Sequence, residues 1–131
     1  MDRRFELALG SFERALARFE EVLVLDESDI VRDALIKRFE FTFETAWKAC
    51  YRWLRARDVD VNEEAFSVLP RAFQSRLITD DTAWSEIRRA RNKSSHNYQE
   101  SAAIEVAACA RAVAAPAFRS LLATLTAQAD A

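Results

Sequence analysis

One glycine and two prolines among 131 residues constrain this chain more than any other feature. Hairpin turns need residues that tolerate positive φ or carry a preset one, and Gly10, Pro70 and Pro116 are too few to connect the strands of a sheet. The chain is therefore expected to be all-α. Half of its residues are hydrophobic, enough for a core without disulfide or metal staples, so residues 1–131 are read as one domain.

Apolar spacing places the helices. Phe5, Leu9, Phe12, Leu16, Phe19 and Leu23 alternate steps of four and three, which stacks them on one side of a helix from Arg3 to about Leu25. Ser28 or Asp29 can cap the next helix by accepting from its first free N–H groups. That helix, about Ile30 to Arg57, carries two stripes: Leu35, Phe39, Ala46 and Trp53, then Ile36, Phe43, Trp47, Cys50 and Leu54. Two stripes suit a central position. Phe39 to Glu44 alternates with a period of two, but no turn residue flanks it, and a strand is rejected. Phe41 lies off both stripes, with Glu44, Lys48 and Tyr51, as either a second contact surface or part of a wide core.

A short helix is expected from about Ser67 to Leu77, with Pro70 tolerated near its first turn because it has no N–H to donate. Thr79-Asp80-Asp81 offers the next cap, opening a helix with Trp84, Ile87 and Arg91 on one side. A polar stretch from Lys93 to Gln99 follows. The last helix begins near Glu100, with Ile104, Ala107, Arg111, Ala114, Phe118, Leu121 and Leu125 in repeat. Pro116 predicts a kink or restart near Ala114 to Pro116, and the tail after Leu125 is expected to fray.

Nineteen basic and 21 acidic residues give a formal charge of −2, which excludes a global electrostatic footprint for nucleic acid. Any RNA contact must be local. Cys50 shares a face with Trp47 and Leu54, and Cys109 with Val106 and Val113, so both read as buried free thiols in a reducing compartment. The N-terminus has no apolar signal core, no apolar run of membrane length is apparent, and the expected location is cytoplasmic without membrane attachment. A single histidine with no paired spacing makes a poor metal site, and no cofactor motif is present.

The chemistry, if any, concentrates in Arg91-Asn92-Lys93-Ser94-Ser95-His96-Asn97-Tyr98. On one continuous helix, Arg91 and His96 would point ~140° apart and could not share a phosphate. Were the helix to end within Lys93-Ser94-Ser95, where side-chain hydroxyls compete for backbone bonds, the imidazole could return towards the guanidinium. Such a pair suits metal-independent RNA cleavage. The imidazole moves the 2′-OH and leaving-group protons, the guanidinium holds the phosphate oxygens as charge builds, and a 2′,3′-cyclic phosphate results. Arg88, Arg89 and Lys93 would track the RNA backbone, with Tyr98 or Trp84 for stacking. The plain alternative is that a histidine at a helix end caps and an arginine-rich face is merely wet.

The stretch Arg, polar, three residues, His, any, Tyr resembles the signature of the HEPN superfamily in its HepT-type form. Phe39-Glu40-Phe41-Thr42-Phe43-Glu44 with Trp47-Lys48, Ala72-Phe73 before Leu77-Ile78, and Trp84 ahead of Arg91 resemble the proteins long named nucleotidyltransferase substrate-binding proteins. The resemblance implies an antiparallel helical bundle of four main helices and a short one, HEPN-like and homodimeric, with two Arg/His pairs facing one cleft. It implies a ribonuclease toxin of a type VII-like toxin–antitoxin pair, encoded beside an MNT-type nucleotidyltransferase antitoxin that adds AMP to Tyr98. Arg91 would then stabilise the transition state, His96 transfer protons and Asn92 give polar support. Two other readings stay open. One is a non-catalytic subunit that binds nucleotide or presents substrate to the nucleotidyltransferase; the other is a helical dimer with no ligand, in which Arg91 and His96 only cap and pair.

Overall fold

A computed structural model describes residues 2–96 and 99–129. Helix α1 spans Arg3–Leu23, α2 Asp29–Ala56, α3 Ala65–Gln74, α4 Asp81–His96, α5 Glu100–Cys109 and α6 Ala115–Ala129, with a π-helical turn at Ala110–Ala114 joining the last two. No strand occurs among the described residues, as the scarcity of turn formers requires. With α5, the π turn and α6 taken as one long element, four main helices and the short α3 make the expected bundle.

Side-chain contacts fix the directions. Arg38 meets Arg18 and Glu21 while Thr42, one turn later, meets Ala15, so α2 runs antiparallel to α1. Glu40 meets Ser94 and Glu44 meets Arg91, which makes α4 antiparallel to α2. Lys93 pairs with Glu105, and the Cys109 thiol lies 3.8 Å from the Glu86 carbonyl, so α5 returns antiparallel to α4.

Local chemistry explains where elements begin and end. The Asp2, Ser28 and Asp80 side chains accept from the N–H groups of Phe5, Val31 and Ala83 at 3.0, 3.1 and 3.0 Å, each satisfying one donor that a helix start leaves free. Two helix ends need a left-handed residue, and with no glycine nearby Asp58 (φ 60°) and Arg76 (φ 63°) take that role. The following N–H groups, of Val59 and Leu77, bond back to the carbonyls of Leu54 and Ala72.

Several boundaries differ from expectation. Helix α3 covers Ala65–Gln74, with Pro70 in its interior. Proline forfeits one ladder bond there. Pro70 and Phe66 are both exposed, so the missing bond falls on the solvent side of α3. Helix α6 continues to Ala129 instead of fraying after Leu125. Ile104 is 51% exposed rather than on the buried stripe, which runs through Val106, Ala107, Ala110, Ala114, Phe118, Leu121 and Leu125.

The cause of that shift is Pro116. An α-helix would bond its nitrogen to the Ala112 carbonyl, which proline cannot do, and the turn before it widens so that the Ala115 N–H bonds to Ala110. The wide turn absorbs an extra residue. It resets the register, so that Phe118, Leu121, Leu122 and Leu125 face the core at helical spacing.

Phe118 sits at the centre of that core. Its ring centroid lies 6.5 Å from Phe12, 5.9 Å from Phe19, 6.2 Å from Phe39 and 5.6 Å from Trp84, so rings from α1, α2 and α4 converge on it. Both predicted stripes of α2 are buried, apart from the half-buried Ile36. Thr42 is fully buried between them, and its hydroxyl proton is shared between the carbonyls of Ala15 and Arg38 at 3.2 and 2.7 Å. Phe41 is 61% exposed, which removes it from the core.

Contrary to the expectation from sequence, one stretch does reach membrane length: Glu100–Ala129, 30 residues, is by length and composition alone long and apolar enough to cross a bilayer. Its bulky side chains Val106, Phe118, Leu121, Leu122 and Leu125 pack inside the bundle. Alanines supply much of its remaining apolar character.

The thiols part company as well. Cys50 is fully buried and its pKa is pushed up to about 12 by that burial. Cys109, expected to be buried, is half-buried; desolvation raises its pKa, the nearby Glu86 adds to the rise and Arg89 opposes it. Since the thiolate is the reacting form, iodoacetamide at pH 8 is expected to alkylate Cys109 alone, with Cys50 modified only as fast as the bundle opens. Peptide mass spectrometry over time checks this, and early labelling of Cys50 would contradict it.

Candidate functional site

Arg91 leaves α4 towards α2, between the two glutamates of the Phe39–Glu44 segment. Its Nη1 lies 3.5 Å from Glu40 Oε2, and its Nε lies 3.6 Å from Glu44 Oε1. These are ion-pair distances rather than hydrogen bonds, and the buried Nε has no hydrogen-bond partner. The same Nη1 donates to the Ser95 hydroxyl. Ser94 Oγ lies 2.7 Å from Glu40 Oε2 and 2.8 Å from the Arg91 carbonyl, sharing its one proton between them. Trp47 Nε1 donates to Glu44 Oε2 at 3.0 Å, which fixes that carboxylate from behind. The cluster joins α2 to α4, and its sequence origin is plain: Glu40 and Glu44 are one helical turn apart, as are Arg91 and Ser95.

Glu40, Glu44, Ser94 and Ser95 were absent from the sequence-derived site. The available signal was the i, i+4 pair of glutamates beside exposed Phe41, on a helix otherwise apolar on two sides. What periodicity cannot reveal is which helix those carboxylates face.

Helix α4 does not stop within Lys93-Ser94-Ser95; it continues to His96. The hydroxyls that were expected to break it bond instead to the Arg91 carbonyl one turn back, at 2.8 Å from Ser94 and 3.2 Å from Ser95, and to groups already in the cluster. Positions 91 and 96 therefore lie ~140° apart about one axis. The His96 side chain, Asn97 and Tyr98 lie outside the described residues.

The basic residues named from sequence point to different neighbours. Lys93 pairs with Glu105 of α5. Arg88 lies over the Phe66 ring of α3, 5.8 Å from its centroid. Arg89 lines a shallow cleft between α4 and α5 with Glu86, Lys93, Glu105 and Cys109. Asn92 is exposed, and Trp84 is buried in the core.

Four long antiparallel helices, with Arg91 and His96 in the last two turns of the third, fit a helical protein of HEPN-like class. The chain belongs to the family described as nucleotidyltransferase substrate binding protein like, whose model matches residues 7–127. The crystal structure of ttk003001694 from Thermus thermophilus is similar to it, with a TM-score of 0.71 and 30% sequence identity over 89% of this chain and 97% of that one. No curated protein matches the chain.

Proposed function

We propose that this chain is the partner subunit of a nucleotidyltransferase, binding nucleotide or presenting a substrate to it without itself cutting RNA. One observation carries the reading: the Arg91 guanidinium, the group that would have to grip a phosphate, is held between Glu40 and Glu44. A phosphate must compete with two carboxylates for it. Lys93 likewise pairs with Glu105, which lowers the positive charge that the stretch from Arg91 to His96 offers a polyanion. The family to which the chain belongs agrees.

The test incubates the purified chain, without metal, with mixed RNA beside its Arg91→Ala and His96→Ala variants, and separately purifies it with the nucleotidyltransferase encoded nearest to it. Intact RNA and a stable complex are the expected results. Cleavage that leaves 2′,3′-cyclic phosphates and is lost in both variants would overturn the proposal.

That outcome belongs to a second reading, favoured by the spacing Arg91-x4-His96-x-Tyr98. In it the chain is a HepT-like ribonuclease toxin, silenced when an MNT-type antitoxin transfers AMP to Tyr98. With positions 91 and 96 on one continuous helix, the two groups must come together across a homodimer, and Arg91 must release both glutamates when RNA binds. Growth arrest abolished by His96→Ala in a folded dimer would support it.

A further inference from the structure

Beside the connection from α1 to α2, a cavity of about 380 Å³ opens between the start of α2 and the α5–π-turn segment. Arg32 and Arg111 line it beside Glu27 and Asp29, with Leu35, Ile104 and Ala108 as its apolar wall. Both guanidinium side chains are largely buried, 23% and 26% exposed. Their carboxylate partners are not: Asp29, Glu100 and Glu27 are 88%, 74% and 82% exposed, at 3.3, 3.5 and 3.3 Å. Such partners are mobile and screened by salt, and they hold weakly. The Arg32 Nε is buried with no hydrogen-bond partner. Two cations are thus withdrawn from water further than their partners justify, in a space of ligand size.

The placement of Arg111 comes from the widened turn that Pro116 imposes. Within that turn its Nη1 donates to the Leu23 carbonyl at 3.2 Å, which anchors one arm of the guanidinium, while its Nε lies 3.3 Å from Glu27 Oε1. Ile104, left exposed by the same shift in register, lies at the mouth of the cavity.

We propose that this cavity binds a small organic anion, with a phosphate or carboxylate head held by Arg32 and Arg111 and an apolar body laid against Leu35, Ile104 and Ala108. A phosphate or carboxylate head can accept from both guanidinium forks in place of the exposed carboxylates. The assignment is independent of the nucleotidyltransferase reading.

The test titrates the full chain with phenyl phosphate, benzoate and inorganic phosphate, followed by calorimetry or by amide NMR shifts of α2 and α5. Saturable binding of phenyl phosphate is expected, at least tenfold tighter than inorganic phosphate, and weakened at least tenfold by Arg32→Gln or Arg111→Gln. Benzoate binding alongside it assigns both head groups to the site; its failure assigns phosphate. Because Arg111 also supports the end of α1, Ala108→Trp provides the second variant: it fills the cavity, keeps both arginines and should abolish binding. No saturable binding of either aromatic anion, equal affinity for inorganic phosphate, or binding unchanged in a folded Ala108→Trp chain each overturns the assignment.

Discussion

Replacing Phe118 by alanine is expected to cost about 3–5 kcal/mol of stability, a large part of the roughly 5–15 kcal/mol that a domain of this kind possesses. The side chain is fully buried, and rings from Phe12, Phe19, Phe39 and Trp84 surround it. Its removal opens a cavity at the junction of α1, α2, α4 and α6, where no single helix can move in without leaving its other neighbours. Edge-on and stacked ring contacts contribute beyond the buried area, so Phe118→Leu, which keeps most of the volume but no ring, should lose about 1–2 kcal/mol. Urea denaturation followed by tryptophan fluorescence measures both. A loss below about 1.5 kcal/mol for the alanine variant would mean that the core collapses around the gap, and that the four rings do not depend on the fifth.

Arg91→Ala should follow it in size, at about 1–3 kcal/mol. An exposed ion pair contributes under about 1 kcal/mol. Stripping one partner from a fully buried pair costs about 3–5 kcal/mol. Arg91 lies between these limits, with its side chain 25% exposed, Glu40 21% and Glu44 37%. Without the guanidinium, two carboxylates one turn apart on α2 repel each other, with only Ser94 left to Glu40 and Trp47 to Glu44 among the bonds described above. Adding Glu40→Gln to Arg91→Ala should therefore recover part of the loss, and a double-mutant cycle should show about 1 kcal/mol or more of coupling. Strict additivity would show that the pair does not join α2 to α4. Because the cycle reads stability, it stays separate from whether Arg91 ever touches a phosphate.

How much of this was legible beforehand varies by element. The α1 stripe, both α2 stripes and the Ser28 and Asp80 caps follow from side chains within one or two turns of each other, which is the range that periodicity and capping report. The disturbance at Pro116 was legible too, because a missing N–H is a local fact. Its consequence was not. The widened turn moved Ile104 out to solvent and set Arg111 into a cavity, since an extra residue per turn rotates everything before it relative to everything after it.

The site divides in the same way. The Arg91 to Tyr98 stretch and the family resemblance could be read directly from the residues. That Ser94 and Ser95 would extend α4 rather than end it depended on Glu40 waiting 54 positions away to receive the Ser94 hydroxyl. Helices, caps and apolar faces were already written in the order of the residues, because they depend on neighbours along the chain. It took the packed bundle to bring Glu40 and Glu44 onto Arg91 and to set Arg32 across a cavity from Arg111, because the charge a group feels comes from whatever packing places within a few ångströms.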